Sequence, residues 1–249
     1  TMPERDIFSW NAMLALYTEQ DQLEKVLHLY QNMLREHANV DEVSFMCILQ
    51  ACGKAGNFEA CQDIYFCIVS AGYDVVPSVM TTLIHAYGSC ASMIDAQEVF
   101  NNMPEHDVVS WSALIAGCGQ HGHHNDVFDM FQKMVDDGIK PDAVIFTLLL
   151  NACSLTGSCD KSQIYFEAMR KDYAIVPTLE HHNSMVDLLC RTGQFGDAKA
   201  LMDKMAFYRD HVVWLTILAA CRNCGNVTIA KEAFAHVMLF DGTMQLHMY

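Results

Sequence analysis

Few residues in this 249-residue chain have types and spacing that could do covalent or metal chemistry. Cys221-x-x-Cys224 has the spacing of half a zinc site or of a redox dithiol. His121-Gly122-His123-His124 has the composition of a metal tract. Both have plainer readings. Cys221 falls in a column of core residues that recurs along the chain, and the histidine tract falls at a turn between two helices with no second cluster to complete a site. A zinc deaminase needs His-x-Glu together with Pro-Cys-x-x-Cys. No histidine here is followed two residues later by Glu, and no Cys-x-x-Cys follows a proline. Gly-x-Ser-x-Gly and phosphate-loop patterns are absent too. These residues predict a chain that is not an enzyme and needs neither a metal nor another cofactor.

The elements that position any site come from composition and periodicity. Lys+Arg number 15 against 30 Asp+Glu, a formal net charge of −15, while 52% of residues are hydrophobic and 18% charged. That is too apolar for an acidic disordered tail. The longest apolar run, 143–150, is far short of the roughly 20 residues of a membrane helix, so no membrane partner is expected. Eleven cysteines, an odd number set within apolar patterns, read as reduced thiols in a non-secretory compartment. Thr1-Met2-Pro3-Glu4-Arg5 is not a targeting sequence. The acidity argues against charge-driven, non-specific binding to nucleic acid.

An internal repeat organises the whole chain. Its clearest pair is Ile7-Phe8-Ser9-Trp10-Asn11-Ala12-Met13-Leu14 against Val108-Val109-Ser110-Trp111-Ser112-Ala113-Leu114-Ile115. That register divides the sequence into 7–41, 42–76, 77–107, 108–142, 143–178, 179–210 and a last repeat, 211–241, with 1–6 as the tail of an earlier repeat and 242–249 as a divergent end. The fourth position holds Trp10, Phe45, Met80, Trp111, Phe146, His182 and Trp214, and the eighth holds Leu14, Leu49, Ile84, Ile115, Leu150, Val186 and Leu218. With the eleventh position (Tyr17, Cys52, Tyr87, Cys118, Cys153, Leu189, Cys221) they form one helical face. The fifteenth position is Gly in five of seven repeats, where a helix end needs a left-handed residue. A second helical stripe runs from Tyr30 and Met33 to Phe234 and Val237. A single helix-turn-helix cannot bury both stripes, whereas stacked neighbours can. The predicted fold is all-α, an α-solenoid of about seven helix-turn-helix repeats coiled as a right-handed superhelix.

Particular stretches resemble one family with this build. Met103-Pro104-Glu105-His106-Asp107-Val108-Val109-Ser110-Trp111, Gly138-Ile139-Lys140-Pro141-Asp142 and Glu180-His181-His182-Asn183-Ser184-Met185-Val186-Asp187-Leu188-Leu189 resemble pentatricopeptide repeat proteins of the plant type, which alternate long, standard and short motifs. The lengths 35, 35, 31, 35, 36 and 32 match that alternation. Val213-Trp214-Leu215-Thr216-Ile217-Leu218-Ala219-Ala220-Cys221-Arg222 resembles the start of the E motif that closes such arrays. The cytidine-deaminase-like domain that ends some members is not found.

The resemblance implies a sequence-specific adaptor for single-stranded RNA, reading one base per repeat. The fifth and last residues of each motif would read the base: Asn11 with Asp41, Thr81 with Asp107, Ser112 with Asp142, and Asn183 with Asp210. By the same resemblance, Asn/Asp prefers a pyrimidine and Thr/Asp or Ser/Asp a guanine. Met46/Val76 offers no side-chain hydrogen bond, and Thr147/Thr178 matches no strong code. The implied core is pyrimidine, unspecified, G, G, unspecified, pyrimidine. Second-position residues would wedge between bases: Phe8, Val43, Val109 and Val144, with Ser78 and Glu180 departing from the pattern. Lys54 and Arg191, both at the thirteenth position, are candidates for phosphates. The resemblance further implies organellar work in a mitochondrion or chloroplast, in C-to-U editing or other RNA processing, with a protein partner docked through 211–241. Ordinary helix capping also favours Asp at these boundaries. A scaffold that binds a protein segment without RNA stays open, favoured by the acidity and by Met46/Val76, as does a fragment with no binding function.

Overall fold

The computed structural model describes residues 6–204 and part of 214–238. The protein is an all-α helical-repeat solenoid, with α1 (Ile7–Glu19), α2 (Leu23–Arg35), α3 (Glu42–Lys54), α4 (Phe58–Ala71), α5 (Pro77–Ser89), α6 (Met93–Asn102), α7 (Val108–Gln120), α8 (His124–Asp136), α9 (Ala143–Thr156), α10 (Cys159–Lys171), α11 (Leu179–Arg191) and α12 (Phe195–Lys204). Odd-numbered helices open the repeats, and even-numbered ones return. The chain forms two compact bodies, Thr1–Lys140 and Pro141–Tyr249.

In the first body α1, α3, α5 and α7 pack in succession, and in the second α9 packs on α11. The recurring columns make these contacts. Trp10, Phe45, Met80, Trp111 and Phe146 are buried, as are Leu14, Leu49, Ile84, Ile115, Leu150 and Val186. Each such side chain stabilises the stack by about 1.5–3 kcal/mol through area removed from water. The return helices add Met33, Ile68, Met134 and Met169 to the core, and Met103, just past α6, joins them. Phe234 departs from its column and is exposed. Cys221 is buried beside Val186, Cys190 and Trp214, while His121 and His123 stand exposed at the turn before α8. All described cysteines carry free thiols.

Successive opening helices approach closely because small residues face each other. A Cβ on Gly88 of α5 would stand 3.0 Å from the Gly117 Cα of α7, and one on Gly53 of α3 would stand 3.0 Å from the Ala86 Cα of α5. Aromatic contacts then fasten the linkers to the core. Tyr73 and Tyr173 pack on Phe45 and Phe146 at centroid distances of 5.4 and 5.3 Å, and His106 stacks on Phe100 at 4.0 Å.

The turn inside each repeat demands a left-handed residue at its fifteenth position whatever occupies it. Gly56, Gly122, Gly157 and Gly193 have φ between 63° and 83°, and the two repeats without glycine hold Asp21 at 53° and Ala91 at 61°. An L-residue there costs about 1–2 kcal/mol, and glycine's extra chain entropy offsets about half of the relief. Ala91→Gly is therefore expected to stabilise the first body by about 1 kcal/mol, and Gly56→Ala to destabilise it similarly, in denaturant titrations. Gly88→Val should cost about 1–3 kcal/mol by overpacking against Gly117. An unchanged midpoint would show that α5 and α7 can part without loss.

Candidate nucleic-acid interface

Each opening helix begins at a repeat boundary, and the residue before it is its N-cap. Asp41, Asp107 and Asp142 cap α3, α7 and α9 by accepting the backbone N–H of Ser44, Ser110 and Ile145 at 2.9, 2.8 and 3.0 Å. Such caps stabilise a helix by about 1 kcal/mol. Capping explains these aspartates locally and asks nothing of the previous repeat.

Asn11 adds something capping does not need. Its Nδ2 donates to both carboxylate oxygens of Asp41, at 3.0 and 3.1 Å across 30 residues of sequence. The Ser44 hydroxyl lies 2.6 Å from Asn11 Oδ1 and 2.9 Å from Asp41 Oδ1, so its single proton goes to one of them. Burial pushes the Asp41 carboxyl up, but hydrogen bonds from the Ser44 amide, Asn11 and the Ser44 hydroxyl together hold it below its ordinary value. The fifth residue of one repeat and the last thus form a fixed, half-buried polar pair. In the third repeat Asp107 is engaged with Ser110, and no hydrogen bond joins it to Thr81 among the described residues. Ser112 donates to the Val108 carbonyl of its own helix at 2.8 Å. Ser112 belongs to the first body and Asp142 to the second.

In the second body Thr147 and Thr178 both touch one buried ring, His181, at 3.3 and 2.8 Å. Asn183 and Thr147 line a cleft of about 600 Å³ with Asn151, Glu180 and Asp187. Asn183 Oδ1 is buried without a hydrogen-bond partner among the described residues. Its sequence partner, Asp210, lies outside the described residues, as does most of 211–241.

The second-position residues stand at the helix starts beside these pairs. Phe8 is 78% exposed, Val43 49%, Val109 57% and Val144 54%, so none belongs to the core. Ser78 instead donates to Glu42. The thirteenth-position cations are already engaged. Lys54 Nζ donates to the Thr18 carbonyl at 3.1 Å and pairs with Asp21 at 3.3 Å, and Arg191 Nε pairs with Asp187 at 2.7 Å. A phosphate at either place would compete with a carboxylate. Sequence reasoning missed Ser44 and His181, although both sit three residues after the cap, the spacing of a capping box.

Known proteins share this repeat build. The PPR repeat family model matches residues 5–54 and 106–154, and the PPR repeat model matches 43–73, 78–108, 144–173 and 180–207. Together they take in most of the chain. This chain belongs to the pentatricopeptide repeat (PPR) family. It is 34% identical over 234 residues to the chloroplast PPR-containing protein CRR2 of Arabidopsis thaliana, covering 93% of this chain and 36% of that protein. A mitochondrial PPR-containing protein of the same plant is also 34% identical, over 238 residues, with the same coverage of both chains. The chain spans about a third of the length of the curated relatives it matches. Among solved structures it resembles PPR10 in complex with an 18-nt psaJ RNA element, with TM-score 0.75 at 15% identity, covering 96% of this chain and 36% of that one. It also resembles the PPR domain of Arabidopsis thaliana protein-only RNase P 1 in complex with tRNA, with TM-score 0.52 at 16% identity, covering 71% of this chain and 95% of that one. At these identities the structural likeness speaks to the fold of the PPR array.

The lowered Asp41 carboxyl makes a test of the polar pair. Asn caps as well as Asp, so Asp41→Asn keeps the cap and removes the charge. The stabilisation from Asp41 is full above the ordinary carboxylate value of 3.8 and is lost as pH falls through the lowered folded value. Denaturant midpoints of wild type and variant should differ at neutral pH and converge on acidification. A gap that persists unchanged into acid would mean that the charge plays no part.

Proposed function

We propose that this chain is part of a PPR array that binds single-stranded RNA sequence-specifically, without catalysis of its own. The observation that carries this reading is the Asn11–Asp41 pair. Two side chains 30 residues apart are held together by hydrogen bonds at the start of adjacent helices, where helix capping requires only one of them. Exposed Phe8 and Val43 flank the pair and give a base apolar faces to stack between. The pairs of PPR repeats would read pyrimidine, unspecified, G, G, unspecified, pyrimidine from the first repeat to the sixth. PPR10 and the RNase P PPR domain, both solved with RNA, share the fold and support RNA as the ligand.

The repeat-length alternation supports the plant subclass of long, standard and short motifs. In this reading 211–241 is an E-like motif that docks a protein partner, and the process served is C-to-U editing or another RNA-processing step. Its relatives are named for the chloroplast and the mitochondrion, which supports an organellar setting for this chain.

A second reading, a scaffold for a protein segment, is favoured by the net charge of −15 and by the pairing of Lys54 and Arg191 with carboxylates. Salt separates the two, because RNA binding weakens as salt rises.

Short single-stranded RNAs with the core pyrimidine-N-G-G-N-pyrimidine should bind about tenfold tighter, roughly 1.4 kcal/mol, than the same RNAs with both guanines replaced by adenine. Asn11→Thr should shift the first preferred base from pyrimidine toward purine. Equal binding of all sequences would sink the base-reading assignment, and no RNA binding at low salt would leave the scaffold.

A further inference from the structure

Base selection depends on which side-chain atoms still have a proton to give. The fifth repeat, whose Thr147 and Thr178 match no strong code, has its protons assigned by one buried ring. The backbone N–H of Thr178 donates to His181 Nδ1 at 2.9 Å, so Nδ1 is an acceptor. His181 Nε2 lies 2.9 Å from the Ala143 carbonyl, which can only accept, so Nε2 carries the hydrogen. Both constraints select the same neutral tautomer, in a side chain that is 1% exposed.

The hydroxyl protons follow from the ring. Thr178 Oγ1 stands 2.8 Å from Nδ1, which has no hydrogen, so the hydroxyl donates to it. Thr147 Oγ1 donates to the Ala143 carbonyl at 3.1 Å and faces the Nε2 hydrogen at 3.3 Å. Both hydroxyl protons are committed to the protein. Both oxygens keep lone pairs, and both residues reach the surface, with Thr178 exposed and Thr147 lining the open cleft.

Resting on the RNA-binding reading above, we infer that His181 is a positioning residue that leaves the fifth repeat with two acceptors and no donor, and so makes it select guanine. The Watson–Crick edge of guanine offers adjacent donors, N1–H and the N2 amine. Uracil has one N–H between two carbonyls, and the amines of cytosine and adenine each sit beside an acceptor ring nitrogen. Opposite two acceptors these bases would leave lone pairs facing lone pairs, and unmatched polar groups are costly to bury. In the first repeat the polar group at the same position as His181 is Ser44, a hydroxyl against the Asn11 amide, whose Nδ2 is a donor engaged by Asp41.

The test uses the full chain with four RNAs, pyrimidine-N-G-G-X-pyrimidine, in which X is each base in turn. X = G should bind tightest, about tenfold better than X = U, a difference of roughly 1.4 kcal/mol. Thr147→Val, at a partly exposed position, should bring the four RNAs close to parity at X while the preference for guanine over adenine at the third and fourth bases persists. His181→Phe should change the ratio among bases at X rather than affinity for all RNAs alike. Equal binding of the four RNAs by the wild type, a preference for another base at X, or a preference untouched by Thr147→Val would overturn the inference while RNA binding stands. If none of the RNAs binds, the RNA reading falls and this inference falls with it.

Discussion

A two-helix repeat of 31 to 36 residues has more apolar surface than it can bury alone, and the structure depends on that shortfall. The opening helices that carry the buried Trp10, Leu14, Phe45 and Leu49 pack on the next opening helix as well as on their own return helix. Small residues at the seam, Gly53 against Ala86 and Gly88 against Gly117, let the helices approach until backbone nears backbone. Within each body the step from one repeat to the next is therefore set by packing.

That packing gives an ordinary capping position a second partner. Asp41, the last residue of the first repeat, caps the following helix, and its carboxylate lies beside Asn11, the fifth residue of the helix before. At Asp41 one carboxylate does both, accepting from the Ser44 amide and from Asn11. Asp107 shares the capping half of this arrangement without the second bond among the described residues, and Asp142 caps α9. In the fifth repeat a buried histidine three residues past the cap takes the place of the carboxylate and touches both partners. The same helical frame thus holds polar groups of different hydrogen-bonding character.

Charge takes a smaller part. With a net charge of −15 and both seam cations held by Asp21 and Asp187, phosphate attraction has little to draw on here. Affinity for an RNA would come chiefly from bases stacked between exposed second-position side chains such as Phe8 and Val109 and read by the polar pairs. The close relatives are about three times longer than this chain, and additional repeats would multiply such contacts.

The all-α repeat fold was legible in the sequence because its cause is local. Apolar residues at the fourth, eighth and eleventh positions define a helical face, and the recurrence of that face defines the stack. The left-handed turn was legible at Gly56 and Gly157, but at Asp21 and Ala91 the chain adopts the same geometry without the residue that announces it, because neighbouring helices impose it. Single residue types could nominate Asn11, Asp41, Lys54 and Arg191 as site residues, since spacing puts them at equivalent places. Only the tertiary structure decided which of them meet. Asn11 finds Asp41, Lys54 finds Asp21, and His181, a plain helix residue in sequence, lies against Thr147 and Thr178. Hydrogen bonds act over about 3 Å, and which side chains come that close across 30 residues is settled by how helices pack, which no single repeat contains.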